Sequence, residues 1–373
     1  MDFIPGLQLN EMFYHEILKP LLAQNFPTLP YSAALIGYGS DVLGFDTAQS
    51  MDHNWGLRVK LFLTPTDFAA QKDAIDQCLR QNLPHTFRGI PVGFGEPDMT
   101  DGGTQKLQVS ESGLVNHLIS IGTVEKFLRG SLGIDPNAPL TLTDWLTFPE
   151  HALLELTSGK VFYDGLDALE PMRAKFAYYP REVWLYRMAA QWQRISQEEP
   201  FVGRTGDVGD DLGSRIIAAR LVRDVMRLAF LIERTYAPYS KWLGSAFARL
   251  QCASRLTPIL QNVLNANDWH EREKYLCDAY VVIAEMHNAL GVTPCSEPTI
   301  TNFFNRPYHV IFARRFVQAI YNAIDDEQLK SLAPIGGVDQ FSDSTDVIDD
   351  PLVMRRIQTI YQNEEKTTDN KSG

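Results

Sequence analysis

The sequence predicts an α+β protein, with a small mixed-sheet domain over residues 1–165, an all-α helical domain over residues 166–335 and a partly disordered C-terminal extension over residues 336–373. The first 165 or so residues alternate between period-two and helical hydrophobic patterning, whereas the stretch from about Pro171 to Ile324 is almost wholly helical. A length of 373 residues also suits about two domains of roughly 150 residues. The chain is 45% hydrophobic and 21% charged, which excludes a mostly disordered or fibrous protein. With 34 Lys and Arg against 46 Asp and Glu, the net charge of −12 gives no support to general attachment to nucleic acid or anionic membranes. Four scattered cysteines make neither a disulfide framework nor a zinc knuckle, and no apolar stretch suits a leader or a membrane span, so a cytoplasmic location is expected.

In chain order, Leu9 to Gln24 carries a helical stripe, and Pro27 and Pro30 separate it from Ser32–Gly37, a short apolar run suited to a buried strand. A glycine-punctuated loop follows to Gly44. Leu57, Val59, Leu61 and Leu63 then alternate with Arg58, Lys60 and Phe62 as in a half-buried strand ending at Pro65. Thr66 or Asp67 is placed to cap a helix over Phe68–Leu83. Phe87–Phe94, Lys106–Val109 and Leu153–Phe162 read as short strands.

In the helical half, Trp184, Met188, Trp192 and Ile195 form one stripe after Pro180. Ile217, Leu221, Val225, Leu228 and Ile232 form a second, in a helix that begins near Leu212 and is stopped by Pro238. Further helices are expected over Ser240–Gln251, Pro258–Leu264, His270–Ala289 and Pro307–Ile324. Trp145 and Phe148 read as core, and the polar residues from Gln362 to Gly373 as a disordered tail.

The segment from Leu35 to Arg58 concentrates the chemistry. Gly39 and Ser40 make a turn whose backbone amides and hydroxyl can meet a phosphate, because glycine lets the main chain approach closely. Asp52 and Asn54 lie two apart at the mouth of the next strand, where both side chains can converge on one hard cation. A hydrophobic strand, Gly-Ser, a spacer (here eleven residues) and then Asp52-His-Asn54 resembles the polymerase-beta-like nucleotidyltransferase superfamily, whose pattern there is Asp-x-Asp or Asp-x-Glu. The context Gly39-Ser-Asp-Val-Leu-Gly-Phe-Asp46 with Asp52-His-Asn-Trp-Gly-Leu-Arg58 is similar to a bacterial family of uncharacterised nucleotidyltransferase-like proteins with a C-terminal helical domain, related to aminoglycoside nucleotidyltransferases. Glu155–Asp164, Tyr179–Trp184, Phe201–Arg204, Tyr236–Trp242 and Val338–Asp346 extend that resemblance along most of the chain.

The resemblance implies NTP, in the first instance ATP, bound with Mg²⁺ or Mn²⁺ between a sheet domain and a helical domain. It also implies transfer of a nucleoside monophosphate onto an acceptor hydroxyl. Asp52 is the expected main metal ligand and Asn54 an auxiliary one, in a position where the superfamily has a second carboxylate. Gly39 and Ser40 are expected at the phosphates, with Lys241, Tyr239 and Arg58 as further nucleotide-binding residues. The base that activates the acceptor is unassigned, with Glu96 and Asp98 nearest in sequence. A basic small molecule would suit the acidic chain as acceptor. A binding-competent relative that has lost the chemistry at Asn54 is the alternative. Arg220, Arg223, Arg227 and Arg234 share roughly one helical face, which is either a cleft wall or a solvated surface. Asp207, Asp210 and Asp211 are placed either to cap the helix that follows them or to form an acidic wall for a basic acceptor. The histidines show no metal-ligand spacing.

Overall fold

A computed structural model describes residues 3–51 and 53–362 of the chain. The chain divides into two compact units, Met1–Pro139 with Ala152–Ala177, and Leu140–His151 with Tyr178–Gly373. The fold is α+β, as the patterning predicts. The partition differs from a single boundary at residue 165.

The first unit is built on a four-stranded mixed sheet of β1 (Tyr31–Leu35), β2 (Lys60–Leu63), β3 (Ser120–Gly122) and β4 (Lys160–Asp164) in the order β3-β2-β1-β4. β1 runs antiparallel to β2, pairing Tyr31 with Leu63 and Ala34 with Lys60. It is also antiparallel to β4, with a register irregularity between Ala33 and Ala34, while β2 and β3 are parallel. The helical stretch from Gly6 to Asn25, with a wide turn at Tyr14–Leu18, buries Leu9, Phe13 and Leu22 with Leu61 and Leu63 of the sheet. The helix Pro65–Asn82 adds Ile75 and Leu79 to this core and is capped by Thr64, whose hydroxyl accepts the Asp67 amide at 3.1 Å. The cap lies two or three residues before the expected Thr66 or Asp67 because Pro65 occupies the first helical position.

Three expected strands change. Phe87–Phe94 is a two-residue hairpin, Thr86–Phe87 with Ile90–Pro91, and Lys106–Val109 is reduced to one bridge from Leu107 to Phe94. Leu153–Phe162 is a helix, Glu150–Thr157, followed by β4. Gly159 at φ +70° turns the chain there, where a Cβ would come within 2.0 Å of the Leu35 carbonyl. Residues 152–177 belong to the first unit because β4 completes the sheet beside β1.

The second unit is mainly helical. The helices Arg181–Glu198 and Asp211–Ile232 carry the two predicted stripes, with Trp184, Met188, Trp192 and Ile195 at 1% exposure or less, and the helix expected over His270–Ala289 spans Trp269–Ala289. Trp145 and Phe148 are core, as expected, with Trp145 edge-on to Tyr179 at 6.0 Å. A short antiparallel ribbon, Thr301–Asn302 with His309–Val310, stands in this unit where the pattern predicts the start of a helix, and the helix there is confined to Arg314–Asn322. Residues 336–362 fold into the unit: Asp339, Gln340 and Tyr361 are buried, and Gln340 donates to the Arg187 carbonyl at 2.9 Å. The rest of the expected disordered tail, residues 363–373, lies outside the described residues. No helix among the described residues is long and apolar enough to cross a membrane.

Candidate functional site

In the first unit, β1 runs into a single helical turn in which the carbonyls of Gly39, Asp41 and Ser40 accept the amides of Leu43, Gly44 and Phe45. The Ser40 hydroxyl makes no hydrogen bond among the described residues and the residue is half-buried. Gly39 has φ +132°, and a Cβ there would overlap the Arg58 guanidinium and the Asp41 carboxylate. The turn is thus held by an ion pair beneath it. Arg58, 4% exposed, grips Asp41 through Nε at 3.2 Å and through Nη2, which also donates to the Tyr38 carbonyl at 2.8 Å. Asp41 Oδ1 further accepts the Val42 amide at 3.0 Å. Arg58 therefore departs from the expectation that it faces the nucleotide: its charge is neutralised inside the protein and it acts on the turn from below.

Asp52 lies outside the described residues. Asn54 is described, and it is not on a strand, because β2 begins only at Lys60. It adopts φ +49°, a conformation asparagine tolerates. Its amide donates to the Gln105 carbonyl at 3.0 Å, and its Oδ1 accepts the Gln105 amide at 2.9 Å. Asn54 therefore pins two loops together, which departs from the expected ligand geometry. Among the described residues no group of three or more His, Cys, Asp or Glu side chains is arranged to hold a metal.

Lys60 is the residue of this region that sequence reasoning passes over. It shares a strand face with Arg58, and its Nζ lies 5.3 Å from the Tyr38 ring and 5.8 Å from the Phe127 ring. Burial, with Arg58 nearby, pushes its amine down to about 8. The alternation Arg58-Val59-Lys60 is the available signal. Asn10 is also missed: it is fully buried, donates to the carbonyls of Gly6 and Gly56 at 2.8 Å each and accepts the Arg58 amide at 2.8 Å. Glu96 and the exposed Asp98 lie on a loop, where Asp98 accepts from the Thr100 amide at 2.9 Å.

The second unit holds a cavity of about 170 Å³ around Lys241, Arg223, Arg227, Tyr239 and His151. Two of the four arginines of the predicted face reach it. Arg220 instead pairs with Glu198 at 2.9 Å, and Arg234 lies 4.1 Å over the Trp184 ring. Arg223 pairs with Asp343 at 2.8 Å, and Arg227 donates to the Asp339 carbonyl while its buried Nε has no partner. Burial pulls Arg227 below its ordinary value, and Arg223 and Arg187 act the same way. Lys241 is exposed, has no ion pair among the described residues and lies 4.9 Å over the Trp242 ring. Tyr239 packs on His151 with ring centres 4.6 Å apart, and burial pushes that imidazole down to about 4, so it is neutral at pH 7. Asp339 lines the cavity too, but its carboxylate is committed to Arg187. The cavity therefore carries more cations than acids to balance them, an arrangement that suits a polyanion.

The three acids expected at a helix start divide their work. Asp210 caps the Asp211–Ile232 helix by accepting the Gly213 amide at 2.8 Å, Asp211 pairs with Arg215 and Arg272, and Asp207 accepts the Tyr308 hydroxyl at 3.1 Å.

Residues 145–243, which include Arg223, Arg227, Tyr239 and Lys241, match the model of a domain of unknown function, DUF4037. No curated protein and no solved structure matches the chain.

Proposed function

We propose that this chain is an NTP-dependent nucleotidyltransferase. In that reaction an acceptor hydroxyl oxygen bonds to the α-phosphorus, the bond to the β-phosphate oxygen breaks and pyrophosphate leaves. The observation that supports the reading best is the cation-rich cavity of the helical unit. Lys241 offers a flexible point charge and Arg223 and Arg227 offer planar forks, the combination that grips phosphate oxygens. Tyr239 borders the same cavity. In the sheet unit the reading assigns phosphate contacts to Gly39 and Ser40, the principal metal-binding carboxylate to Asp52, and a positioning role to Arg58 through Asp41. ATP is the first nucleotide to test, supplied with Mg²⁺ or Mn²⁺. A basic small molecule is the acceptor class that suits a chain of charge −12. A cytoplasmic location accords with the four free cysteines.

One observation favours a second reading, a nucleotide-binding sensor without transfer: Asn54, where a second carboxylate would be expected, is engaged by Gln105. Calorimetric titration with each of the four NTPs, followed by transfer of label from the α-phosphate, separates the two. The transferase reading expects binding that weakens about tenfold or more in Lys241→Ala, as loss of a charge-assisted contact implies, together with label transfer. Binding without transfer supports the sensor, and no binding by any NTP overturns both.

A further inference from the structure

We propose that Lys60 is the cation that receives phosphate at the Gly39–Ser40 turn of the sheet unit, a contact for the triphosphate of a nucleotide or for inorganic polyphosphate. The inference rests on the nucleotide-binding reading above and adds to it a residue with a task of its own.

Lys60 opens β2 and pairs there with Ala34 of β1. From this position β2 lays two cations under the loop Gly37–Ser40. Arg58 reaches Gly39, where it leaves no space for a Cβ, and Lys60 passes Gly37, where a Cβ would stand 3.4 Å from its Cε. Positive φ at both glycines, +91° and +132°, bends the loop over the two side chains. Their charges are treated differently. Asp41 neutralises Arg58, whereas Lys60 forms no ion pair and no hydrogen bond among the described residues. Its Nζ stands instead against the rings of Tyr38 and Phe127, 5.3 and 5.8 Å from their centres. Aromatic faces attract an ammonium but leave its charge in place for an anion. Lys60 is half-buried and Tyr38 is 53% exposed, so this cradle lies at the surface.

Further donors lie in the same loop. The Ser40 hydroxyl and the amides of Tyr38, Gly39, Ser40 and Asp41 have no hydrogen-bond partner among the described residues. A run of free amides beside an unneutralised ammonium suits phosphate, whose several oxygens can accept from all of them. An ammonium half-buried without an anion is costly to hold, and nothing in the fold offsets that cost. Burial and Arg58 push the amine down to about 8, while Glu155 and Asp41, beyond ion-pair distance, act the other way. A phosphate beside Lys60 favours the charged form, so a complex formed at pH 8 takes up a proton.

The test is calorimetric titration of the full chain with ATP and, separately, with inorganic tripolyphosphate, each with Mg²⁺, at pH 7, 8 and 9. At pH 8, paired runs in buffers of different ionisation enthalpy should show uptake of up to about half a proton per ligand, and affinity should fall several-fold from pH 7 to pH 9. Lys60→Met should weaken binding by about tenfold at pH 7 and abolish the uptake. Its thermal midpoint at pH 7 should hold or rise, because the fold lowers the affinity of Lys60 for its proton; a lysine kept for packing alone would give a fall. ATP binding that is indifferent to Lys60→Met and takes up no proton overturns this inference and leaves the transferase reading standing. Lys60-dependent binding of tripolyphosphate without binding of any NTP does the reverse, and no heat from either titrant overturns the inference.

Discussion

Replacing Arg187 by Met removes the centre of the buried polar network in the helical unit. The guanidinium is fully buried, donates to Glu150 Oε1 at 2.9 Å and Asp339 Oδ1 at 2.8 Å, and lies 4.7 Å over the Tyr179 ring. Glu150 also accepts the Ala237 amide at 3.0 Å, and Asp339 accepts the Glu150 amide at 3.1 Å. One side chain thus joins four separate stretches of sequence. Burial and Asp339 already push the Glu150 carboxyl up, whereas at Asp339 burial is outweighed by Arg187 and Arg227, which hold the carboxyl below its ordinary value. Without Arg187 two adjacent buried carboxylates lose their ion-pair partner and keep only Arg227 as a nearby cation, a loss of about 3–5 kcal/mol. In the variant both carboxyls move up from where Arg187 holds them. Protonation then costs the variant's fold less than ionisation does, so the deficit relative to wild type grows as pH rises. Urea unfolding followed by tryptophan fluorescence at pH 5 and pH 8 measures this, and Trp184 and Trp192 on the same helix report it. A loss under about 1 kcal/mol at pH 8, well short of what breaking a buried pair costs, or a deficit that grows towards acid, would refute the reasoning. The triple variant R187M/E150Q/D339N, which leaves no buried charge at the three positions, should recover much of the loss.

Three further outcomes are expected. Gly39→Ala forces a Cβ into the Arg58–Asp41 pair at φ +132°, so it should destabilise the sheet unit by about 2–4 kcal/mol in chemical unfolding. A thermal midpoint equal to wild type would contradict the described turn. Asp343→Ala removes an exposed partner of Arg223, a pair worth roughly 0–1 kcal/mol, and leaves the cavity more positive. NTP affinity should rise about threefold or more at low salt with stability unchanged, and weaker binding would argue that Asp343 positions Arg223 for the ligand. Glu199, buried against the amides of Ile311 and Ala313, is pushed up to about 7 by burial. Its folded-state value exceeds the ordinary 4.5, so its contribution is full below that pH and is lost as pH rises towards 7, a change of roughly 3 kcal/mol. Glu199→Gln should flatten the pH 5–8 stability profile, which titration of urea midpoints will show.

The helical unit is legible because its stripes are long: four residues from Trp184 to Ile195 and five from Ile217 to Ile232 fix both helices and their buried faces. The sheet is legible at Ser32–Leu35, from a short apolar run, and at Lys60–Leu63, from alternation, and misleading at Leu153–Phe162, where a helix and a strand abut across one glycine. Period and composition carry no information on the sequence-distant contacts that govern the rest. Asp339 lies 152 positions from Arg187, so the C-terminal segment reads as an extension although it completes the helical core. At the candidate site, Gly39, Ser40, Tyr239 and Lys241 stand where a ligand can reach them in their own units. Arg58 does not, because Asp41 claims it, and Asn54 is half-buried with its Oδ1 engaged by Gln105; nothing in the local pattern announces either partner.

The central claim is nucleotidyl transfer, and the most direct measurement is pyrophosphate release from each NTP with Mg²⁺ or Mn²⁺ in the presence of a small-molecule extract, wild type beside Asp52→Ala and Lys241→Ala. A nucleotidyltransferase should release it with at least one NTP, lose that release in Asp52→Ala and show less of it in Lys241→Ala, with the α-phosphate label recovered on the acceptor. Release that is unchanged in Asp52→Ala, or its absence with every NTP that binds, would contradict the claim.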